Sequence, residues 1–306
     1  MSTEPTDHWS QFWQQGHTTT FGEALADNYE GAIRDFWTGC FQSLPVQARL
    51  LDVATGNGAL ALLAAQFAAA EGRQWAIDAC DLAQINLQVP NNENIYLHPQ
   101  VACEELPFED NSFDLVSSQF GFEYSDTGRS LAEFFRVLQP AGSFAAVCHH
   151  SDSYTLQASR KEQAIYRQAL DDNNVFDAAI AYLQARDGGA TDAKAKQQAV
   201  NDAVNQLRQH HAGHPCCDQI VGALSATLRG AAGQPVTTLL AQLRALDQDF
   251  RGAAARLDDL SRAALSAQDL QRLVKHCRQL GFTEVKSGEL FHSPGEIAGY
   301  TLLAWR

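Results

Sequence analysis

The chain has 306 residues, 45% of them hydrophobic and 19% charged, with a formal net charge of -14 at pH 7. This composition excludes a disordered chain and leaves room for one large domain or two smaller ones. So large an acidic excess, with no run of Lys or Arg to offset it, argues against nucleic acid as a partner.

The first residues, MSTEPTDHWSQFW, lack a basic segment followed by an apolar core, so they do not read as a secretory signal. The longest apolar run, Ala59 to Ala70, is interrupted by Gln66 and is too short to cross a bilayer. Seven scattered cysteines, an odd number, read as reduced thiols rather than a disulfide framework. The expectation is a cytoplasmic protein with no membrane partner.

Residues 1–45 are rich in aromatics: Trp9, Phe12, Trp13, Phe21, Tyr29, Phe36, Trp37 and Phe41. Ile33, Phe36, Trp37 and Phe41 fall at helical spacing. The plainer reading is a helix pair packed on a neighbouring domain. The sharper one is a lid over a ligand, with polar HTTTFG (His17 to Gly22) as its loop.

Residues 46–150 alternate strand and helix. Strands are predicted at Arg49–Val53, Trp75–Cys80, Phe113–Ser118 and Ser143–Cys148. Helices are predicted at Gly58–Ala70 and Ser130–Leu138, with Pro140-Ala141-Gly142 as the turn into the last strand. This alternation implies right-handed βαβ units and a parallel sheet covered on both faces.

Residues 151–265 are rich in Ala, Gln, Asp and Leu and read as an all-helical insertion of four to six helices. In the last of these, Leu239, Leu243, Leu246, Phe250, Ala253, Leu257, Leu260 and Ala264 follow alternating steps of four and three. A helix from Pro235 to Ala264 would be about 45 Å long. It is either the spine of a helical subdomain, the reading favoured here, or a seam for a homodimer; a lid or substrate role is a further use of the insertion. In residues 266–306, Ser266 and Asp269 suggest a capped helix ending at Gly281. Two strands follow, Glu284–Phe291 and Ile297–Trp305, which the turn at Ser293-Pro294-Gly295 makes antiparallel.

The strongest motif is LLDVATGNGALAL, Leu50 to Leu62. A strand carrying Asp52 runs into a small-residue loop and then a helix, whose free N–H groups and small side chains let a ligand approach the backbone. Gly56-x-Gly58-x-x-Ala61 also fits the dinucleotide fingerprint, so the glycines alone do not choose a cofactor. Asp52 helps choose: a carboxylate beside the helix N-terminus repels a pyrophosphate and suits a cationic, amino-bearing ligand such as S-adenosyl-L-methionine. A second acid for ribose hydroxyls belongs about 20 residues on. Asp78 and Asp81 both qualify, and Asp81 leaves the strand uninterrupted.

With these motifs in hand, the chain resembles the class I S-adenosylmethionine-dependent methyltransferases of the ubiquinone/menaquinone-biosynthesis-like kind. LDVATGNG is similar to that family's first motif, and CDLA to the end of its second strand. ELPFEDNSFDLV (Glu105 to Val116) and RVLQPAGSF (Arg136 to Phe144) are similar to the entries into its fourth and fifth strands. The resemblance covers residues 46–150 and 266–306 and leaves 151–265 aside. It implies an α/β, Rossmann-like methyltransferase sheet, mostly parallel with an antiparallel C-terminal hairpin. It further implies that Asp52, Ala54, Thr55, Gly56, Asn57 and Gly58 hold the methionine end of the cofactor. Asp81, with Leu82, would take the ribose. Cys103 and Glu104 would lie along the adenine; Ala102 stands where the family often has an acid, which leaves the Cys103 N–H for that task. Gln119 would face the sulfonium or the acceptor.

Two segments bring polar groups to the carboxyl edge of the sheet, Ser118 to Asp126 and Cys148 to Ser153. Methyl transfer is an in-line displacement in which the protein positions a nucleophile and a base takes its proton. His149 or His150 would be that base, while Glu123 and Tyr124 would orient the acceptor; the plainer alternative is a hydrogen-bonded histidine and a packing tyrosine. In HHAGHPCCD, His210, His214, Cys216 and Cys217 are zinc-ligand types, but adjacent cysteines are no CxxC knuckle, so no metal is expected. The expected function is methyl transfer to a small-molecule or peptide-like substrate. The alternatives are a NAD(P)-dependent oxidoreductase, or a noncatalytic cofactor-binding module whose insertion docks a partner.

Overall fold

The computed structural model describes residues 7–17, 19–20, 28–85, 94–230 and 233–306. Of the expected lid loop, Thr18, Phe21 and Gly22 lie outside the described residues. The chain divides into two compact units. One comprises Met1–Gln157 with Asp259–Arg306, and the other comprises Ala158–Asp258.

The first unit contains a seven-stranded sheet: β1 (Gln47–Val53), β2 (Gln74–Asp81), β3 (Ile95–Pro99), β4 (Phe113–Gln119), β5 (Leu138–Cys148), β6 (Glu284–Ser293) and β7 (Glu296–Trp305). Its order is β3-β2-β1-β4-β5-β7-β6. The first five strands pair in parallel, and β7 runs antiparallel to both β5 and β6. The expected Rossmann-like sheet with a reversed terminal hairpin is therefore present. The chain moves outward from β1 to β3 and then returns to β4, so the strand order reverses between β1 and β4. Ligands of open α/β sheets bind at such a reversal, beyond the carboxyl ends of the strands.

Strand side chains alternate between faces, and this alternation sorts the two cores. Leu50, Ile77, Ala79, Leu115, Ala145 and Val147 pack against α2 (Gly31–Gln42) and α3 (Ala59–Ala70). Leu51, Val53, Cys80, Val116, Phe144, Ala146 and Cys148 pack on the other face, against α4 (Thr127–Val137) and α10 (Ala267–Leu280). Asp126 caps α4, and Ser266 and Asp269 form a reciprocal capping box on α10, which ends at left-handed Gly281. Helix α1 (Asp7–Gln14) forms a small cluster of its own with Ala83 and Ile85.

Two features differ from the sequence reading. Strand β3 was not expected; it is a short edge strand of half-buried and exposed residues, with no apolar run to announce it. Pro140-Ala141-Gly142 is not a turn before β5 but lies within it. There β5 bulges opposite Phe113 and Leu115, with Ala141 in the left-handed region, and Arg306 bonds back to Ala141 and Gly142.

The second unit is helical. It holds most of α5 (Tyr154–Arg167) and a π-helical turn (Gln168–Asp172). It continues with α6 (Val175–Asp187), α7 (Ala193–His211), α8 (Pro215–Arg229) and most of α9 (Val236–Ala263). Leu239, Leu243 and Phe250 of the 28-residue α9 are buried in this unit's core, with Leu246, Ala253 and Leu257 packed against it. Six of the eight seam residues are thus packed inside this unit, while Leu260 and Ala264 belong to the first unit.

Candidate functional site

The site is built from one face of the sheet. Asp52 stands two residues beyond Leu50 on β1, Asp81 two beyond Ala79 on β2, and Ser117 and Gln119 two and four beyond Leu115 on β4. Period-two alternation therefore places all four on the α2/α3 face at the carboxyl edge. His149 follows Val147 onto that face, whereas Asp78 and His150 fall on the other.

Asp52 is buried. Its carboxylate accepts from Thr55 Oγ1 at 2.5 Å and from Ser117 Oγ at 3.1 Å, with the Ala61 N–H in the first turn of α3 also against it. Burial pushes its carboxyl up to about 7, against the lowering pull of the Thr55 and Ser117 hydroxyls, and the nearby Asp81 charge adds to the rise. Asp81, also buried, accepts the Gly56 N–H on one oxygen and the Ala83 N–H on the other, each at 2.8 Å. Burial raises this carboxyl too, against those two bonds. Asp78, by contrast, is bound on the far face by Arg49 at 2.9 Å and His98 at 2.7 Å, as a structural ion pair.

The loop between β1 and α3 is left-handed at Ala54, Gly56 and Gly58. Gly56 is the position where a side chain is least admissible: a Cβ there would fall 2.5 Å from the Trp13 indole. Asn57 donates from Nδ2 to the carbonyls of Trp13 and His17, both at 2.8 Å, and the Gln84 N–H donates to Ser10 Oγ at 3.0 Å. Helix α1 is thereby fastened across the glycine loop. Its Trp9 stacks on Trp13, meets Tyr124 edge-on at 5.8 Å, and donates from Nε1 to Asp259 at 2.9 Å. His8 holds the same carboxylate at 2.7 Å. Burial alone would raise Asp259, but the bonds from His8 and Trp9 outweigh it and hold the carboxyl below its usual range.

Glu123 and His149 form a buried pair. One oxygen of Glu123 accepts both the backbone N–H of His149, at 2.8 Å, and its Nδ1, at 2.9 Å. A carboxylate oxygen offers only lone pairs, so the proton between them is assigned to Nδ1. The other oxygen, Oε2, is buried without a hydrogen-bond partner among the described residues. Phe120 and Tyr124 pack on the His149 ring at 4.4 and 5.8 Å. Burial, with the Glu123 charge second, pushes the Tyr124 hydroxyl well above its ordinary value.

The remaining expected residues divide. Gln119 is buried beside Asp52's partner Ser117 and accepts on Oε1 from Trp37 Nε1 at 2.5 Å. Leu82 is half exposed next to Asp81, and Cys103 is buried near it. Glu104 is engaged in accepting the Asp126 N–H at 2.8 Å, at the start of α4. His150 does not join the site. Its Nδ1 accepts the Asp152 N–H, its ring packs on Tyr300, and its Nε2 lies 3.7 Å from Glu289. Strand alternation is the reason. Among the described residues no three His, Cys, Asp or Glu side chains cluster as metal ligands; His214 caps α8 instead. Three contacts were not read from the sequence: Ser117 with Asp52, Trp13 with Gly56 and Trp37 with Gln119. The register of Asp52 opposite Ser117 would have revealed Ser117, whereas no spacing assigns Trp13 to Gly56 or Trp37 to Gln119.

Residues 51–146 match the family model described as a methyltransferase domain. This stretch is similar to that family over about a third of the chain. A ubiquinone/menaquinone biosynthesis C-methyltransferase (UbiE) of Rickettsia felis is 35% identical to this chain over 148 residues. That match covers 43% of this chain and 60% of the relative. A demethylmenaquinone methyltransferase of Chlorobaculum tepidum is 35% identical over 97 residues, 31% of this chain and 38% of the relative. The chain thus spans less than two thirds of the length of these curated relatives. The solved structure of YcgJ from Bacillus subtilis is 20% identical and covers 44% of this chain and 59% of that one, at a TM-score of 0.34.

The residues at this edge would fit S-adenosylmethionine: the buried Asp52 would accommodate an ammonium, which would hold its carboxyl ionised. The strand reversal and the left-handed glycine loop let the backbone come close to a ligand. Gln119 Nε2, buried with no hydrogen-bond partner among the described residues, offers a donor at the same edge.

Proposed function

We propose that this chain transfers the methyl group of S-adenosylmethionine to a small-molecule acceptor, with His149 as general base. The observation that carries the reading is the buried Glu123–His149 pair, placed on the same sheet face as Asp52, Ser117 and Gln119. The names of the relatives favour an acceptor of the quinone class, methylated on carbon, in its reduced, hydroxyl-bearing form.

Asp52 would hold the amino group of the cofactor and Asp81 its ribose, beside the loop from Ala54 to Gly58. Leu82 and Cys103 would flank the adenine. Bound there, S-adenosylmethionine supplies a methyl group on a positively charged sulfur. His149 Nε2 takes the acceptor's hydroxyl proton, which makes the ring carbon electron-rich as it gains the methyl group. Glu123 steadies the imidazolium, the imidazolium returns its proton to the ring oxygen, and the proton displaced from that carbon leaves to solvent with the products. Tyr124 donates to the acceptor's oxygen. The α1 strap, with Trp9 and Trp13, keeps water from the transfer.

The test is transfer of labelled methyl from S-adenosylmethionine to a demethylated quinol. The expected result is a methylated ring with the native chain and none with His149→Gln. A native chain that binds S-adenosylhomocysteine but leaves the quinol unmethylated overturns the acceptor class; a chain that binds nicotinamide dinucleotide instead overturns the whole reading.

A further inference from the structure

Gln119 is held in a way that hydrogen-bond chemistry makes directional. An indole Nε1–H can only donate, so the oxygen of the Gln119 amide must face Trp37 and the NH2 must face away. Trp37 is completely buried in α2, and Gln119 is 7% exposed. The Trp37–Gln119 bond, 2.5 Å long, therefore fixes an amide that would otherwise be free to rotate by half a turn. Both hydrogens on Nε2 are left without a partner among the described residues. A buried donor in that state calls for an acceptor brought by a ligand.

The neighbours on the same face indicate which acceptor. Ser117, two residues before Gln119, bonds to Asp52. Asp52 suits an ammonium and repels a carboxylate. An amino-acid end carries both groups on one carbon, so when the ammonium lies at Asp52 its carboxylate needs a donor close by on the same strand edge. Gln119 Nε2 is such a donor.

We propose that Gln119 recognises the α-carboxylate of the amino-acid-bearing nucleoside, and that Trp37 is a positioning residue that aims its NH2 at that group. The proposal rests on the S-adenosylmethionine reading and extends it to the carboxylate end of the ligand and to a residue outside the glycine loop. It accounts for why a tryptophan, and not simply an apolar ring, stands at position 37.

The experiment compares two probes by calorimetry: S-adenosylhomocysteine, which carries the amino-acid end, and 5′-methylthioadenosine, which lacks it. Trp37→Phe keeps the ring but removes the N–H. Gln119→Leu removes the donor, and Gln119→Glu replaces it with an anion; either serves if Trp37→Phe does not fold. Each variant is expected to weaken S-adenosylhomocysteine by about ten- to a hundredfold, as for loss of a hydrogen bond to a charged group, with Gln119→Glu the weakest. Methylthioadenosine affinity is expected to stay within about twofold of native. Unchanged S-adenosylhomocysteine affinity, or an equal loss for both probes, overturns the proposal. If the native chain binds neither probe, the cofactor reading itself has failed, a result distinct from either of these.

Discussion

Asp81 accepts the backbone N–H of Gly56 at 2.8 Å, tying the tip of β2 to the glycine loop between β1 and α3. One carboxylate thereby shapes the loop and stands at the edge where a ribose would lie. Asp81→Ala should weaken S-adenosylhomocysteine by at least about tenfold, since it removes both the loop's acceptor and the ribose's partner. Titration calorimetry checks this, and Asp78→Ala in parallel should leave affinity unchanged, because Asp78 is bound by Arg49 and His98 on the opposite face.

Gly56 has φ of +55° and the Trp13 ring lies directly on it. Gly56→Ala should therefore destabilise the fold by on the order of 1–3 kcal/mol, from backbone strain and overpacking together. Thermal unfolding measures it. The Trp13→Ala background should recover part of the loss, leaving only the backbone strain.

The Asp52 carboxyl, pushed up to about 7, gives stability a signed pH dependence. The folded chain keeps a proton that the unfolded chain has released from about pH 4 upward. This residue's contribution to stability therefore falls as pH rises from about 4 to about 7, and is level above that. Asp52→Asn should abolish cofactor binding while stabilising the ligand-free chain by on the order of 1–3 kcal/mol at pH 8. The gain should vanish near pH 4. Denaturant melts at the two pH values check it.

Glu123→Gln leaves a side chain of nearly the same shape but no anion beside His149. Turnover should fall by about a hundredfold or more, the range for a general base that loses its partner. S-adenosylhomocysteine affinity should be unchanged. His150→Gln should leave turnover near native, since that ring is turned toward Tyr300 and Glu289. Steady-state kinetics of the two variants separate the histidines.

Much of this arrangement was legible in the sequence. The strand–loop–helix around Gly56 and Gly58, the place of Asp81 at the end of its strand, and the capping box at Ser266 all follow from local spacing and chemistry. What was not legible depends on tertiary register. His149 and His150 look alike in the chain; only the alternation of β5, fixed by its pairing with β4 and β7, sends one to Glu123 and the other away. Strand β3 is short, polar and at an edge, so its membership of the sheet comes from pairing with β2 and not from its own composition. The bulge at Ala141 reads as a turn because Pro, Ala and Gly stand together, and the contacts from Arg306 that hold it within β5 come from the far end of the chain.

A buried Asp52, its carboxyl pushed up to about 7, is the group that would receive the ammonium of an amino-bearing nucleoside. Calorimetric titration of the native chain with S-adenosylhomocysteine at pH 7, repeated in buffers of different ionisation enthalpy, measures it most directly. The account predicts tight binding accompanied by release of a fraction of a proton, and loss of both with Asp52→Asn. Binding with no proton release that survives Asp52→Asn, or preferential binding of a nicotinamide dinucleotide, would contradict it.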